Sequence, residues 1–272
     1  MENGLSVFSL KGQVVILTGA AGFLGKKYAK ALGQAGAVVS LWDKIDLALV
    51  KQQADELAKE NIEAVAFSVD ITDEEAVKQA IGQLTEKYGR IDVLINNAAM
   101  NPAIGSEESK KQFVPVEEYP VELWRKELDA NLTGMFICSK NVAAIMKKQG
   151  KGVIVNVASE VSNIAHDHRV YNAPGKYKSP TYVTSKTGVL GLTRSLAAQL
   201  GEHNIRVNAF SPGGVENAKM PADFVERFSK TTMLGRMAKE KEYNGAIIFL
   251  CSEASSFMTG ANLTIDGGKS SW

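Results

Sequence analysis

The chain has 272 residues, of which 45% are hydrophobic and 22% charged, a composition typical of ordinary globular proteins and not of disordered or fibrous ones. It carries 31 Lys and Arg against 30 Asp and Glu, so its net charge of +1 gives no excess that would draw it to a polyphosphate or an anionic membrane. We therefore expect neither nucleic acid nor a membrane as its main partner.

The sequence also carries no strong targeting signal. Its longest apolar run, 246–251, has six residues, well short of the roughly 20 that span a bilayer. The first twelve residues lack the basic cluster and apolar core of a secretory signal. Cys138 and Cys251 lie far apart without a CxxC motif, which favours a reducing compartment, so we expect a cytoplasmic protein.

The order of predicted elements decides the fold class. Short apolar runs alternate with segments whose apolar residues recur every three or four positions. Predicted strands are Val14–Thr18, Val38–Trp42, Ala64–Asp70, Val93–Asn96, Val153–Val157, Ile205–Ser211 and Leu263–Asp266. Predicted helices are Phe23–Gln34, Leu47–Lys59, Glu74–Tyr88 (started by a Thr72–Glu75 capping box), Val121–Lys148, Tyr182–Gly201 and Glu240–Cys251. This order predicts an α/β fold, a doubly wound parallel sheet of about seven strands with helices on both faces, in one domain over 1–272.

Two long irregular segments follow the C-terminal ends of predicted strands. They span Met100–Pro120 and Glu160–Thr181. A doubly wound sheet binds its ligand at that edge, and loops longer than about 15 residues are uncommon unless functional. Harmless surface insertion is the alternative for either loop alone, but their shared location favours a substrate role for both.

A glycine-rich turn joins the first strand to the first helix. The run TGAAGFLG places Gly19, Gly22 and Gly25 around Phe23 and Leu24. Glycines let the backbone approach a pyrophosphate, and the following helix N-terminus offers N–H donors and a positive dipole end. The strand before and the amphipathic helix after supply the required context, so we predict a dinucleotide site.

Asp43, at the end of the second strand, bears on which dinucleotide binds. A carboxylate there accepts hydrogen bonds from the ribose hydroxyls and repels a 2′-phosphate, which favours NAD over NADP. Two alternatives stay open: Asp43 could cap the next helix, and the adjacent Lys44 could meet a phosphate.

Several further motifs appear in one order along the whole chain. They are Asp70 in VDIT, NNAA at 96–99, Asn131 in NLTG, Ser159 in NVAS, YVTSK at 182–186, SPGGV at 211–215 and IDGG at 265–268. Together with TGAAGFLG, they resemble the short-chain dehydrogenase/reductase family. The resemblance implies a Rossmann-type fold and a nicotinamide-dependent oxidoreductase.

The glycine spacing departs from the short branch of that family. TGAAGFLG is more usual in the longer branch, which includes sugar-nucleotide epimerases and dehydratases and carries an added C-terminal substrate domain. Only 86 residues follow Lys186 here, and their pattern returns to the sheet. We therefore expect the short single-domain branch.

The reaction chemistry is predicted to centre on Tyr182. Lys186 lies four residues on, so both side chains share one helix face. A neighbouring ammonium stabilises a phenolate and lowers its pKa, which would make Tyr182 a general acid/base. Ser159 would hydrogen-bond the reacting oxygen, although an ordinary turn serine is the alternative.

The resemblance assigns further roles around the cofactor. It implies that Lys186 binds the nicotinamide ribose and that Asn131 anchors a water on a proton path; a buried structural amide is the alternative for Asn131. It places Asp70 and Ile71 at the adenine, Asn97, Ala98 and Ala99 along the adenosine ribose, and the Val215 backbone at the nicotinamide carboxamide. Pro212 and Gly213 form a turn that allows close approach, and 216–236 resembles a mobile substrate lid.

The segment between Ser159 and Tyr182 is the most individual part of the chain. The two residues are 23 positions apart, roughly ten more than in the short branch, so an insertion lies beside the reacting centre. Its charged and ionisable residues are His166, Asp167, His168, Arg169, Lys176 and Lys178. An anionic substrate would explain the excess of cations, and a solvated loop is the alternative. The helical HxxxH spacing is absent, so we expect no metal.

Within the family, these loops look most like flagellin-modification oxidoreductases of bacterial surface-sugar pathways. We therefore expect an NAD-dependent enzyme acting on a secondary alcohol or ketone of a polar, sugar-like substrate, with an anionic sugar as one candidate. The alternatives are a sugar epimerase or dehydratase that retains NAD, and a non-catalytic NAD-sensing module. Relatives pair through the helices matching 121–148 and 182–201, which implies a homodimer or homotetramer.

Overall fold

Seven parallel strands form one sheet in the computed structural model, which describes residues 4–101, 112–172 and 177–272. The strands are β1 Val14–Thr18, β2 Val38–Asp43, β3 Ala64–Ser68, β4 Val93–Asn96, β5 Gly152–Val157, β6 Ile205–Pro212 and β7 Asn262–Ile265. Their order is β3-β2-β1-β4-β5-β6-β7, so the chain changes direction between β1 and β4. The predicted doubly wound sheet is confirmed, and its switch point opens a crevice at the carboxyl ends of these strands.

Helices cover both faces of the sheet. Those of the described residues are α1 Phe23–Gln34, α2 Leu47–Ala58, α3 Glu74–Tyr88, α4 Val121–Leu128, α5 Gly134–Gln149, α6 Pro180–Leu200, α7 Ala222–Ser229 and α8 Asn244–Cys251. In β1, Val15 and Leu17 pack with α1, α2 and α8, whereas Val14 and Ile16 pack with α3, α5 and α6. Burial on both faces explains why the strands are solid apolar runs.

The start of α3 differs from the prediction. Its N-cap is Asp73, whose carboxylate accepts from the N–H groups of Glu75 and Ala76 at 3.0 and 3.2 Å. The Thr72 hydroxyl instead donates to Asp70 at 2.7 Å, and β3 ends at Ser68 because Asp70 already belongs to this turn. The capping box predicted from Thr72 was therefore wrong.

The predicted helix 121–148 is two helices separated by a turn of π-helix, Asp129–Thr133. The turn contains Asn131, whose amide oxygen accepts from the Met100 N–H at 2.6 Å. The apolar periodicity continues across the turn, so the pattern alone did not reveal the interruption.

Three other helices refine the prediction. α6 begins at Pro180, with Ser179 as its N-cap, and α8 begins at Asn244 instead of Glu240. α7 is a short helix within the segment 216–236, where no helix was predicted. No helix in the described ranges combines the length and apolarity needed to cross a bilayer.

Candidate active site

A cleft of about 1430 Å³ opens at the carboxyl ends of the strands. One end is bounded by the turn between β1 and α1, and the other by α7 and the segment that precedes α6. Most residues predicted for the site line this cleft: Gly19, Gly22, Phe23, Leu24, Gly25, Asp43, Asp70, Ile71, Asn97, Ala98, Ala99, Ser159, Tyr182, Lys186, Pro212, Gly213 and Val215. Asn131 is the exception, because it is fully buried behind the cleft wall.

The glycine turn is shaped by contacts within the protein. Gly19 has a φ of +64°, and a Cβ there would lie 2.7 Å from the Ala98 Cα. A Cβ on Gly25 would lie 2.2 Å from the Gly19 carbonyl oxygen. Both positions exclude any side chain, which brings the start of α1 and the end of β4 close to the turn. The glycines thus build the cradle itself, besides leaving its surface open.

Asn97 braces this turn from the neighbouring strand. Its amide nitrogen donates to the carbonyl oxygens of Thr18 and Gly19 at 3.0 and 3.2 Å. The Thr18 hydroxyl in turn accepts from the N–H groups of Asn97 and Ala98, both at 3.0 Å. The Asn97 side chain is therefore committed to holding the turn, and only the remainder of 97–99 is available along the cleft.

Asp43 lies against the same turn. Its carboxylate accepts from the Ala21 N–H at 3.0 Å, which fixes it at the rim of the cradle. The following helix α2 is capped by Asp46, which accepts from the Ala48 N–H at 2.7 Å. The alternative that Asp43 caps this helix was therefore wrong.

Ser159, Tyr182 and Lys186 meet at the middle of the cleft. The Lys186 ammonium donates to the Val157 carbonyl at 2.7 Å and lies 5.9 Å from the centre of the Tyr182 ring. Ser159 caps a one-turn helix, Glu160–Ser162, by accepting from the Val161 N–H at 3.4 Å. The serine is thus both a turn residue and part of the cleft wall.

Burial dominates the protonation of this group. It raises the pKa of Tyr182 to about 12, although a hydrogen bond with Ser159 opposes the rise. It also lowers the pKa of Lys186 to about 8. The expected lowering of the tyrosine pKa is therefore not met, because the Lys186 ammonium bonds a backbone carbonyl while burial and the nearby Glu160 carboxylate disfavour the phenolate. As arranged here, Tyr182 holds its proton at neutral pH.

Asn131 connects two walls of the cleft from behind. Besides accepting from Met100, its amide nitrogen donates to the Ser185 hydroxyl at 3.3 Å, within the helix that carries Tyr182. These contacts match the structural alternative for this residue. Its part in a proton path stays a prediction.

A second polar group anchors the start of α6. Glu127 is fully buried and accepts from the Ser179 hydroxyl at 2.7 Å, and Tyr119 shares a hydrogen bond with the same hydroxyl at 2.8 Å. Ser179 also accepts from the Tyr182 N–H at 3.4 Å. The backbone of Tyr182 is thus tied, through Ser179, to a buried carboxylate on α4.

The far end of the cleft contains His166, predicted only as one ionisable residue of the insertion, and an apolar wall that was not predicted. The His166 ring stacks on Tyr182 with centroids 5.9 Å apart, and burial lowers the His166 pKa to about 3, so this imidazole is neutral. Phe224 and Phe228 of α7, with Met237, form an apolar wall. The amphipathic spacing of the two phenylalanines was the available signal.

A buried ion pair closes this end. The Lys269 ammonium lies 2.6 Å from a carboxylate oxygen of Glu160 and 3.9 Å above the Phe228 ring. Glu160 directly follows Ser159, and Lys269 directly follows Gly268. Because Ser159 and Gly268 belong to motifs named in the sequence, their neighbours Glu160 and Lys269 could have been predicted to lie near the site. Within the described part of the chain, no three His, Cys, Asp or Glu side chains gather as metal ligands, so the absence of a metal stays a prediction.

Comparison with known proteins gives consistent relatives over nearly the full length. Residues 19–270 match the family described as Enoyl-(Acyl carrier protein) reductase. A 3-oxoacyl-[acyl-carrier-protein] reductase from Thermotoga maritima is 36% identical over 95% of this chain and 98% of its own length. A cis-4-hydroxycyclohexanecarboxylate dehydrogenase from Sinomonas cyclohexanicum is 34% identical over 94% of this chain and 96% of its own.

A solved structure shares the same architecture. A gluconate 5-dehydrogenase from Burkholderia cenocepacia, crystallised with NADP and tartrate, superposes with a TM-score of 0.87 at 28% identity. The match covers 99% of this chain and all of that one. One of these three relatives is named a reductase, and the other two are named dehydrogenases.

Proposed function

The chain belongs to the short-chain dehydrogenase/reductase family, whose members are nicotinamide-dependent oxidoreductases, and we propose that it uses NAD to interconvert a secondary alcohol and a ketone on a polar, sugar-like substrate. The observation that carries this proposal is the meeting of Ser159, Tyr182 and Lys186 in the cleft that the glycine turn opens. The roles below are part of the proposal.

The described residues fit a dinucleotide. The turn around Gly19 and Gly25 is a cradle that a Cβ would fill, and α1 begins directly behind it. Asp70 and Ile71 would contact the adenine, and the Val215 backbone would bind the carboxamide. Once bound, a nicotinamide supplies the hydride acceptor or donor.

The chain's own groups would handle the proton. Tyr182 carries its phenolic proton at neutral pH and would donate it to the substrate oxygen during ketone reduction. Ser159 would hold that oxygen by a hydrogen bond, and Lys186 would bind the cofactor ribose. In alcohol oxidation, Tyr182 must first lose its phenolic proton to solvent, and the resulting phenolate then takes the hydroxyl proton.

Asp43 supports NAD as the cofactor. The Ala21 N–H fixes its carboxylate at the rim of the cradle, where a 2′-phosphate would be repelled. The gluconate 5-dehydrogenase was crystallised with NADP, so preference varies among similar folds. Comparing kcat/KM for NAD and NADP tests this part, and a preference for NADP would contradict it.

The polar lining supports a sugar-like substrate. Asn101, His166, Lys178 and Glu160 bring hydrogen-bonding groups to the same cleft as Tyr182 and the apolar wall of α7. The substrates in the names of the two dehydrogenase relatives are hydroxy acids. The finer resemblance to flagellin-modification enzymes remains a prediction.

A substrate screen followed by NADH absorbance tests the whole proposal. The purified protein is mixed with NAD and a panel of polyols, sugar acids, hexose phosphates, steroid alcohols and acyl thioesters. We expect stoichiometric NADH formation with a polyol or sugar acid. Turnover without net NADH would indicate the retained-cofactor epimerase or dehydratase, and cofactor binding without any turnover would indicate the sensing module.

Assembly is part of the proposal. Val121 on α4 and Phe136 on α5 are exposed apolar side chains on the helices through which relatives pair. We expect a homodimer or homotetramer. Light scattering of the purified protein measures this directly, and a monomer would contradict it.

A further inference from the structure

Three lysines are buried in the described residues, and all line the cleft: Lys178, Lys186 and Lys269. Lys186 lies beneath Tyr182, and its ammonium is held by a backbone carbonyl. Lys269 is neutralised by Glu160 at 2.6 Å. The ammonium groups of Lys186 and Lys269 are therefore already engaged. Lys178 is the remaining buried lysine of the described residues that could bind a substrate anion in the cleft.

The other ionisable groups on the same segment are not suited to that task. The Arg169 side chain is 92% exposed and pairs with Asp167 at 2.8 Å. Burial keeps His166 neutral, and the His168 Nδ1 atom accepts a hydrogen bond from the Lys178 N–H at 3.2 Å. Among the described residues of 160–181, the predicted positive charge therefore reaches the cleft through Lys178.

The partners of Lys178 are neutral. Its ammonium donates to the Asn101 side-chain oxygen at 2.8 Å and to the Gln112 side-chain oxygen at 3.3 Å. Within the described ranges, no carboxylate forms an ion pair with the Lys178 ammonium. The Glu127 carboxylate is connected to it through Gln112, whose amide oxygen accepts from Lys178 and whose amide nitrogen donates to Glu127. The ammonium also lies 5.7 Å from the centre of the Tyr182 ring.

Burying a charged side chain whose hydrogen-bond partners are neutral lowers the free energy of unfolding of the protein without a ligand. Burial lowers the pKa of Lys178 to about 8, because two amide oxygens replace only part of the lost hydration and the nearby Glu127 carboxylate opposes the lowering only in part. An incoming anion would add a counter-charge bonded directly to the ammonium, next to Tyr182. Buried charges with unmet electrostatic demand are common at binding sites.

Resting on the function proposed above, we propose that Lys178 binds the carboxylate of a hydroxy-acid substrate and selects for sugar acids over neutral polyols. One ammonium matches one carboxylate charge. A phosphate dianion would keep a surplus negative charge close to the buried carboxylates Glu127 and Glu160. A carboxylate on the substrate carbon chain also fixes which hydroxyl faces Tyr182.

The experiment compares matched anionic and neutral probes on three proteins. The probes are D-gluconate against D-glucitol, cis-4-hydroxycyclohexanecarboxylate against its carboxamide, and glucose 6-phosphate as the phosphate arm. The proteins are the wild type, Lys178→Met and Lys126→Met, since Lys126 is an exposed lysine near the rim of the same cleft. Lys178→Gln removes the charge but keeps a polar side chain, so an effect seen in both variants comes from loss of the charge and not from altered packing in Lys178→Met.

Two readouts are needed. Steady-state kinetics gives KM and kcat, and calorimetric titration of the NADH-loaded proteins gives equilibrium binding without turnover. We expect both Lys178 variants to raise KM and Kd for the carboxylates by roughly 30-fold or more, to leave the neutral probes within about threefold, and to change kcat little. Lys126→Met should behave as the wild type.

Three results would overturn the proposal. They are equal loss for anionic and neutral probes, equal loss in Lys126→Met, or preference for glucose 6-phosphate over both carboxylates. Failure of the proposed function is seen separately: no probe would then reduce NAD or NADP, while titration would still report whether carboxylates bind through Lys178.

Discussion

The two ends of the cleft are built in different ways. The cofactor end, where we propose that the dinucleotide binds, consists of short turns that leave β1, β2 and β4 and are held by contacts to backbone atoms, such as those of the Asn97 amide and of Gly25. The substrate end, where we propose that the substrate binds, is assembled from distant segments: the stretch before α6, the helix α7 and the C-terminal Lys269. Its contacts are made by side chains, several of them charged and buried.

This difference separates what the fold provides from what the individual chain decides. Sheet geometry brings the strand ends together whatever the loops contain, so the cofactor end follows from the topology. The substrate end depends on single side chains that meet across more than a hundred residues, as Glu160 and Lys269 do. Variants should therefore affect cofactor binding and substrate handling separately.

The largest expected effect lies where the two ends meet. Tyr182→Phe removes the proton carried by the phenol, and we expect kcat to fall roughly 10³-fold while NADH binding is retained. Stopped-flow turnover and fluorescence titration of NADH measure the two quantities. Activity within tenfold of wild type would contradict the proton role, and loss of NADH binding would contradict the separation of the two ends.

The next effect concerns the substrate end alone. Lys269→Met leaves the Glu160 carboxylate buried without its cation, which should lower the free energy of unfolding by about 3 kcal/mol. Urea denaturation measures this quantity. The double variant with Glu160→Gln, which removes both charges, should recover most of the loss. Equal stability of the single and double variants would contradict the buried pair.

A smaller effect is expected at the cofactor end. Asp43→Ser removes the carboxylate from the rim of the cradle, and the ratio of kcat/KM for NAD to that for NADP should fall about 10-fold to 100-fold. Asp46→Ser is the matched control, because that carboxylate caps α2 only three residues on. An unchanged ratio in Asp43→Ser would remove the support for NAD.

The effect that is smallest at neutral pH is the difference in stability between wild type and Lys178→Met, and this difference depends on pH. The Lys178 pKa is about 8 in the folded chain and near 10.5 when unfolded, so the unfolded wild type binds more protons between these values. Wild-type stability relative to the variant should therefore rise by about 3 kcal/mol as the pH increases from 8 to 10.5. Below pH 8 the variant should be at least as stable as the wild type. It loses two hydrogen bonds that contribute roughly 1 kcal/mol each, but it avoids the cost of about 3 kcal/mol for burying the charged ammonium.

Thermal melts across this range measure that difference. The titratable groups facing Lys178 are Glu127, Tyr182, His166 and His168, and all are present in both proteins. A difference independent of pH would indicate that the Lys178 ammonium is not desolvated.

The two ends of the cleft were not equally predictable from the sequence. The doubly wound sheet followed from the alternation of strands and helices, and the glycine turn and the meeting of Ser159 with Tyr182 followed from motifs that lie at strand ends or on one helix face. The Glu160–Lys269 pair and the partners of Lys178 did not, since they join residues far apart in sequence. The lowered tyrosine pKa was wrong for a related reason: the spacing of Tyr182 and Lys186 was visible, but the burial of both was not.

The boundary between α4 and α5 has a consequence for the register of the site. A π-helical turn holds one more residue than an α-helical turn, so Asp129–Thr133 sets the rotational phase of α4 against α5. If the same residues were wound as a continuous α-helix, everything before them would turn by about 100° relative to α5. Glu127 would then swing away from Ser179, and the anchor of the catalytic helix would be lost without changing any residue in the cleft. In this chain, the length of one turn is as much a determinant of the site as the identity of its side chains.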